Sequence, residues 1–256
     1  MHLVIGSGAM GIYAYLGALS AIELDTVDEV AGCSAGSILG LFVCCGKTLD
    51  EIRDFMFGID LKELTKLDIV SLITNFGLIS HAPIKKLLKD FCGDPTFKEL
   101  SKKLYVTSYC LNKMDTEYFS VDNSPDMSVI DAVCMSISIP FLFETAKYKE
   151  YTYLDGATKE CVPMLAFLHK DPKDVLILKL EKHIKHKPEI KNLKDFVMCL
   201  INVATESAIS YKSFSREIIL DVSNVDIFDF FMNEEGKMKL YVQGYHTTLS
   251  HLGSFK

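Results

Sequence analysis

Two short stretches of this chain hold residue types and spacings suited to acyl transfer. GCSAG, Gly32 to Gly36, fits GxSxG. A serine at a sharp strand-to-helix turn needs glycine two positions to either side, so that the backbone folds tightly and Oγ is presented. The helix that follows puts the positive end of its dipole beneath Ser34, and the N–H of Ala35 is placed to help hold an oxyanion. GSGAMG, residues 6 to 11, follows an apolar run and fits GxGxxG through Gly6, Gly8 and Gly11. Such a loop serves either a dinucleotide phosphate or, through the same free N–H groups, an oxyanion. A dinucleotide site requires an acidic residue at the end of the second strand, about 20 residues on. Gly32-Cys33-Ser34 occupies that place, while Asp25, Asp28 and Glu29 lie before or inside the strand. The spacing therefore disfavours a nucleotide.

A serine nucleophile needs a base. His169, His183, His186, His246 and His251 follow Ser34 in the order an α/β-hydrolase triad uses. His183 and His186 sit in a lysine-rich stretch and His169 at a polar helix end. His246 and His251, at i and i+5 of a terminal helix, do not share a face as a metal pair does. The other candidate is Asp155 in YTYLDGA, which ends an apolar strand and is followed by Gly156 and Ala157. Burial there would raise the carboxyl pKa and make it a better proton acceptor. Taken by itself, Asp-Gly is more often an ordinary turn. No cluster of residues has the spacing of a zinc or calcium site.

The elements around these residues alternate. HLVI (2–5) reads as a buried strand, and apolar positions Ile12, Leu16, Leu19 and Ile22 recur at helical spacing. VDEVA (27–31) predicts a second strand and SILGLFVCC a helix, the opening of a parallel α/β sheet. Residues 48–101 read as a helical insertion, with Pro83 in the first turn of a helix capped near Ser80 or His81. KLYVTSYC (103–110) and EYFSV (117–121) predict strands. MSVIDAVCMS predicts a helix introduced by Pro125-Asp126 and ended by Pro140. YTYLDGA (151–157), DVLILKL (174–180), REIILDV and VDIFDFF (225–231) predict further strands, with helices near 192–214 and from Asn233. VSLITNFGLI (70–79) and VDIFDFF are apolar enough to meet acyl chains or a bilayer, though core packing is the simpler use of both.

The 256 residues suit a single domain, and 49% apolar content suits a well-filled core. A net charge of −7 argues against nucleic acid as a partner but leaves lipid open, since membrane contact needs only a local patch. Eight cysteines without a CxxC pair, most of them among apolar neighbours, fit buried thiols in a reducing compartment. The N-terminus lacks a basic n-region, and no uncharged stretch approaches the roughly 20 apolar residues of a membrane span. These features predict an intracellular, cytoplasmic protein that is neither secreted nor membrane-spanning.

GSGAMG, GCSAG and DGA, in that order, resemble the three signature motifs of the patatin-like phospholipase family. GIYAYLGALSAIELDTVDEVAGCSAGSILG is similar to the family's glycine loop, first helix, second strand and serine turn without a gap. SPDMSVIDAVCMSISIPFLFE resembles its helix and Ser-x-x-x-Pro segment, and KECVPMLAF the continuation after DGA. The resemblance covers about residues 1–180, and 181–256 only in general α/β character. It implies a three-layer α/β/α sandwich with a mainly parallel central sheet, and a Ser–Asp dyad needing neither metal nor cofactor. Ser34 would be the nucleophile and Asp155 the base, with Ser7, Gly8 and Ala9 adding oxyanion N–H groups. The implied activity is hydrolysis of glycerolipid or phospholipid esters through acyl-Ser34, in peripheral contact with a membrane or lipid surface. Ser7 stands where the family has a third glycine, and Met10 where it has Arg or Lys. These departures imply weaker or shifted activity, or at the limit a lipid-binding relative without catalysis.

Overall fold

In the computed structural model, which describes residues 1–181, 189–191, 195–196, 199–200 and 216–254, an eight-stranded mixed sheet forms the centre. Its strands are β1 (His2–Ile5), β2 (Glu29–Cys33), β4 (Lys103–Cys110), β5 (Asp115–Phe119), β7 (Ala146–Tyr148), β8 (Tyr151–Asp155), β9 (Val175–Glu181) and β10 (Glu217–Asp221). A small parallel pair, β3 (Gly77–Ile79) with β6 (Phe141–Phe143), lies apart from it. The central order is β10-β9-β1-β2-β4-β8-β7, with β5 also paired to β4. The first five of that order run parallel, and β5, β7 and β8 add antiparallel pairings.

Strand segments such as LVI (3–5) and VLIL (175–178) are apolar throughout because both of their faces are covered. Leu3, Ile5, Val30, Leu104, Val106, Leu176 and Leu178 face the larger core, which includes residues of the helices α1 (Ile12–Leu19), α2 (Ala35–Cys44) and α7 (Val129–Ser136). The alternate residues Val4, Ala31, Tyr105, Val175 and Ile177 face a second core closed by the 3-10 turn Met164–Phe167. This is the layered α/β arrangement with a mainly parallel sheet that the sequence implies. The C-terminal helix α8 (Glu234–Ser254) lies against α1 closely enough that a Cβ on Gly244 would meet the carbonyl oxygen of Ala14 at 1.9 Å.

Residues 48–101 hold α3 (Leu49–Gly58), α4 (Leu61–Leu64), α5 (Ile69–Thr74), β3 and α6 (Ala82–Cys92), the last with its proline in the first turn. Two predicted elements differ. β2 starts at Glu29 rather than Val27 and runs on through Gly32 and Cys33, because Ile5 of β1 pairs with Gly32 and carries the ladder into the glycine turn. The helix α7 ends at Ser136, the last residue of the predicted MSVIDAVCMS segment. VDIFDFF is not a strand: Asp226 and Asp229 each accept, through Oδ1, the N–H two residues on (3.0 Å in both), which folds the segment into successive turns. The helix expected near 192–214 lies largely outside the described residues.

Candidate active site

The parallel register brings the two chemically interesting side chains to one level. Cys33 of β2 pairs with Thr107, so the next residue, Ser34, leaves the sheet beside Ser108. The antiparallel strand β8 pairs Asp155 with that same Ser108. Ser34 Oγ donates to Asp155 Oδ2 at 2.6 Å, and both residues are buried. The other carboxylate oxygen accepts the N–H of Ala157 at 2.8 Å, and Asp155's own N–H donates to the carbonyl of Ser138 at 2.9 Å. Burial raises the Asp155 carboxyl to about pH 7, while the hydrogen bonds from Ser34 and Ala157 pull it partway back.

Ser34 occupies φ 52°, ψ −121° at the N-terminus of α2. A non-glycine residue at positive φ costs about 1–3 kcal/mol and must be held by its surroundings. Here its N–H donates to Ser136 Oγ at 2.8 Å, and its carbonyl accepts both the N–H (2.8 Å) and the Oγ (2.6 Å) of Ser37. The glycine two residues on has a separate reason. A Cβ on Gly36 would stand 2.2 Å from the carbonyl oxygen of Ile5, a backbone atom of the central strand that cannot yield. Gly36→Ala is therefore expected to destabilise the fold by about 3 kcal/mol or more, read as a lower urea midpoint at an unchanged m-value.

Of the four N–H groups expected to face an oxyanion, one is committed elsewhere. Ser7 donates its N–H to the carbonyl of Cys161 at 2.8 Å, which corrects its assignment as a donor. The N–H groups of Gly8, Ala9 and Ala35 meet no acceptor among the described residues. Gly8 and Ala9 begin the short 3-10 turn Ala9–Gly11 and Ala35 begins α2, positions whose N–H groups have no partner within the helix. The loop is fixed from behind. Buried Tyr15 donates its hydroxyl to the Ser7 carbonyl (3.0 Å) and accepts the N–H of Leu180 (3.2 Å), and Met10 donates its N–H to Ile227 (2.9 Å). The segment misread as a strand thus anchors the glycine loop.

Among the described residues no histidine hydrogen-bonds to Ser34 or Asp155. His169 and His246 are exposed, His251 lies near the end of α8, and His183 and His186 are outside the described residues. A histidine not considered as a site residue, His81, is buried near the site. Its ring lies parallel to that of Phe143 (centroids 6.0 Å apart), and its Nε2 is 3.4 Å from Ser138 Oγ. Burial lowers its pKa to about 4, so it is neutral at pH 7. Ser136 and Ser138, which support Ser34 and Asp155 from behind, were also missed as site residues. Their signal is the Ser-x-x-x-Pro segment.

In front of Ser34 lies a narrow cavity of about 120 Å³, with Ala9, Met10 and Ala35 in its wall. The rest of its lining is almost wholly apolar, including Phe42, Leu88, Ile139 and Phe230. Among the described residues no group of three or more His, Cys, Asp or Glu is arranged to hold a metal ion.

Fold and site together define an α/β domain with a mainly parallel sheet, built around a serine turn. The family model described as patatin-like phospholipase matches residues 3–168. The chain belongs to that family. It is 27% identical over 266 residues to uncharacterized protein R571 of Acanthamoeba polyphaga mimivirus, covering 94% of this chain and 89% of that protein. It is 29% identical over 178 residues to probable lipid hydrolase 463L of Invertebrate iridescent virus 6, covering 63% and 61% respectively. Among solved structures it shares its fold with VipD of Legionella pneumophila, at a TM-score of 0.67 and 15% identity over 99% of this chain and 66% of VipD. The type III effector ExoU of Pseudomonas aeruginosa gives 0.57 at 18% identity over 99% of this chain and 52% of ExoU. Among the described residues no helix is long and apolar enough to cross a membrane.

Proposed function

We propose that this protein is a lipid acyl hydrolase, cleaving a carboxylic ester of a phospholipid or other glycerolipid through an acyl-Ser34 intermediate. The observation that carries the reading is the 2.6 Å hydrogen bond from Ser34 Oγ, in the wall of the apolar cavity, to the buried carboxylate of Asp155. The iridescent-virus relative's description as a probable lipid hydrolase supports it.

In the first half-reaction Asp155 accepts the Ser34 proton as Oγ attacks the ester carbonyl carbon. The negative charge that develops on the carbonyl oxygen is met by N–H groups of Gly8, Ala9 and Ala35. Collapse of the tetrahedral intermediate breaks the ester C–O bond, and the departing alcohol takes the proton from Asp155. Water then attacks the acyl-serine, giving its proton to Asp155, and the fatty acid leaves as Ser34 is reprotonated. With Ser7 removed, three N–H groups remain for the oxyanion, each at the start of a helical turn, so catalysis is favoured over a purely lipid-binding role. The rest of the reading is a single catalytic domain spanning 1–256, peripheral to membranes and working in the cytoplasm.

A fluorophosphonate probe tests the nucleophile. Mass spectrometry is expected to find the adduct on the peptide containing Ser34, and none in Ser34→Ala. Folded wild-type protein that stays unlabelled would remove the nucleophile from the account.

A further inference from the structure

The short helix α5 is turned the wrong way round for a water-soluble protein. Its one buried residue is the polar Ser71, while Ile69, Val70 and Ile73 are 72%, 67% and 74% exposed. Leu67 before it and Phe76 after it are exposed as well. The inversion is not poor folding, since Asp68 caps the helix by accepting the N–H groups of Val70 (2.8 Å) and Ser71 (3.3 Å), and Ser71 Oγ accepts from Asn75 (3.3 Å). A capped helix that holds its aliphatic side chains in water calls for an apolar partner.

The position of the patch says which partner. Three separate segments put one side chain into the cavity wall and a neighbouring one out to the surface. Leu64 lines the cavity and Leu67 is exposed; Phe143 lines it and Phe141 is exposed; Phe230 lines it and Phe231 is exposed. The β3–β6 register sets Phe141 opposite Gly77, next to Phe76, so the exposed end of the α5 segment meets the Phe141–Phe143 segment. The patch thus adjoins, through Phe76 and Phe141, a segment whose Phe143 stands in the wall of the cavity in front of Ser34. A protein seated there would cover the entrance, whereas a lipid surface would deliver hydrocarbon to it.

We infer that Leu67, Ile69, Val70, Ile73 and Phe76 form a docking surface that lies on a lipid bilayer and feeds the cavity. The choice of a bilayer rests on the acyl-hydrolase reading; the exposed patch itself does not. Side chains of this kind bury into the boundary between head groups and acyl chains, without a need for anionic lipid.

The test compares the full chain with an Ile69→Gln, Ile73→Gln double variant in co-sedimentation with phosphatidylcholine vesicles. Glutamine keeps helix propensity and the two positions are exposed, so the melting temperature is expected to stay unchanged. Wild type is expected to pellet with vesicles, and the variant to need about ten-fold more lipid. Hydrolysis of a soluble short-chain ester should be equal in the two, while hydrolysis of vesicle lipid falls with binding. Equal vesicle binding by both proteins would overturn the surface. So would a wild type that ignores vesicles but forms a dimer that the variant abolishes, which would make the patch a contact between copies. If wild type docks through these residues yet hydrolyses no ester, the docking surface stands and the hydrolase reading falls.

Discussion

Asp155→Asn will abolish ester hydrolysis, by about a thousand-fold or more in kcat, while leaving the protein folded. The amide is nearly isosteric with the carboxylate. Its oxygen can still accept the Ala157 N–H, and its NH2 can donate to Ser34 Oγ, so the two hydrogen bonds of 2.8 and 2.6 Å keep partners. What the amide cannot do is accept a proton when Ser34 attacks. General base catalysis contributes about a hundred- to ten-thousand-fold, and a base acting in both half-reactions falls in the upper part of that range. Initial rates on an ester substrate, with circular dichroism as the control for folding, measure the effect. Near-normal turnover would show that Asp155 is not the base.

The second large effect is on stability, and its sign follows from burial. The Asp155 carboxyl titrates at about pH 7 in the folded protein against an ordinary value of 3.8. The folded state therefore holds this proton more tightly than the unfolded chain does. Its stabilising contribution is fully present below about pH 4 and is lost as pH rises to about 7. A difference near three units corresponds to about 4 kcal/mol. Asparagine does not titrate, and the other ionisable groups are common to both proteins. The stability of Asp155→Asn relative to wild type is thus expected to grow by about 4 kcal/mol between pH 4 and 7, then level off. Urea unfolding at several pH values measures this, and a difference independent of pH would show the carboxyl to be unperturbed. If Asp155 is the base, the same ionisation is expected to make wild-type kcat/KM rise about ten-fold per pH unit below 7 and level off above it.

Much of this site was legible because local chemistry restricts what can stand there. A serine flanked by Gly32 and Gly36 between an apolar strand and an apolar helix has few uses, and the close approach of Gly36 to Ile5 shows why small residues are needed. The pairing of Ser34 with Asp155 was not readable locally, because it arises from both strands pairing with β4; it came from the order of three motifs. Ser7 was misassigned for a similar reason, since Cys161, which captures its N–H, comes from a distant part of the chain. VDIFDFF was misread because its hydrophobic residues mimic a strand while Asp226 and Asp229 bend the backbone by hydrogen-bonding it. The outward face of α5 was not predictable from composition, because an aliphatic run has the same pattern whether it meets a core or a membrane.

The central claim is that Ser34 and Asp155 make this chain a lipid acyl hydrolase. Fatty-acid release from a panel of phospholipids and acylglycerols, compared between wild type and Ser34→Ala, tests it most directly. The account predicts release of fatty acid by wild type from at least one lipid class and background release by Ser34→Ala. Equal release by the two proteins, or none by folded wild type from any lipid, would contradict it.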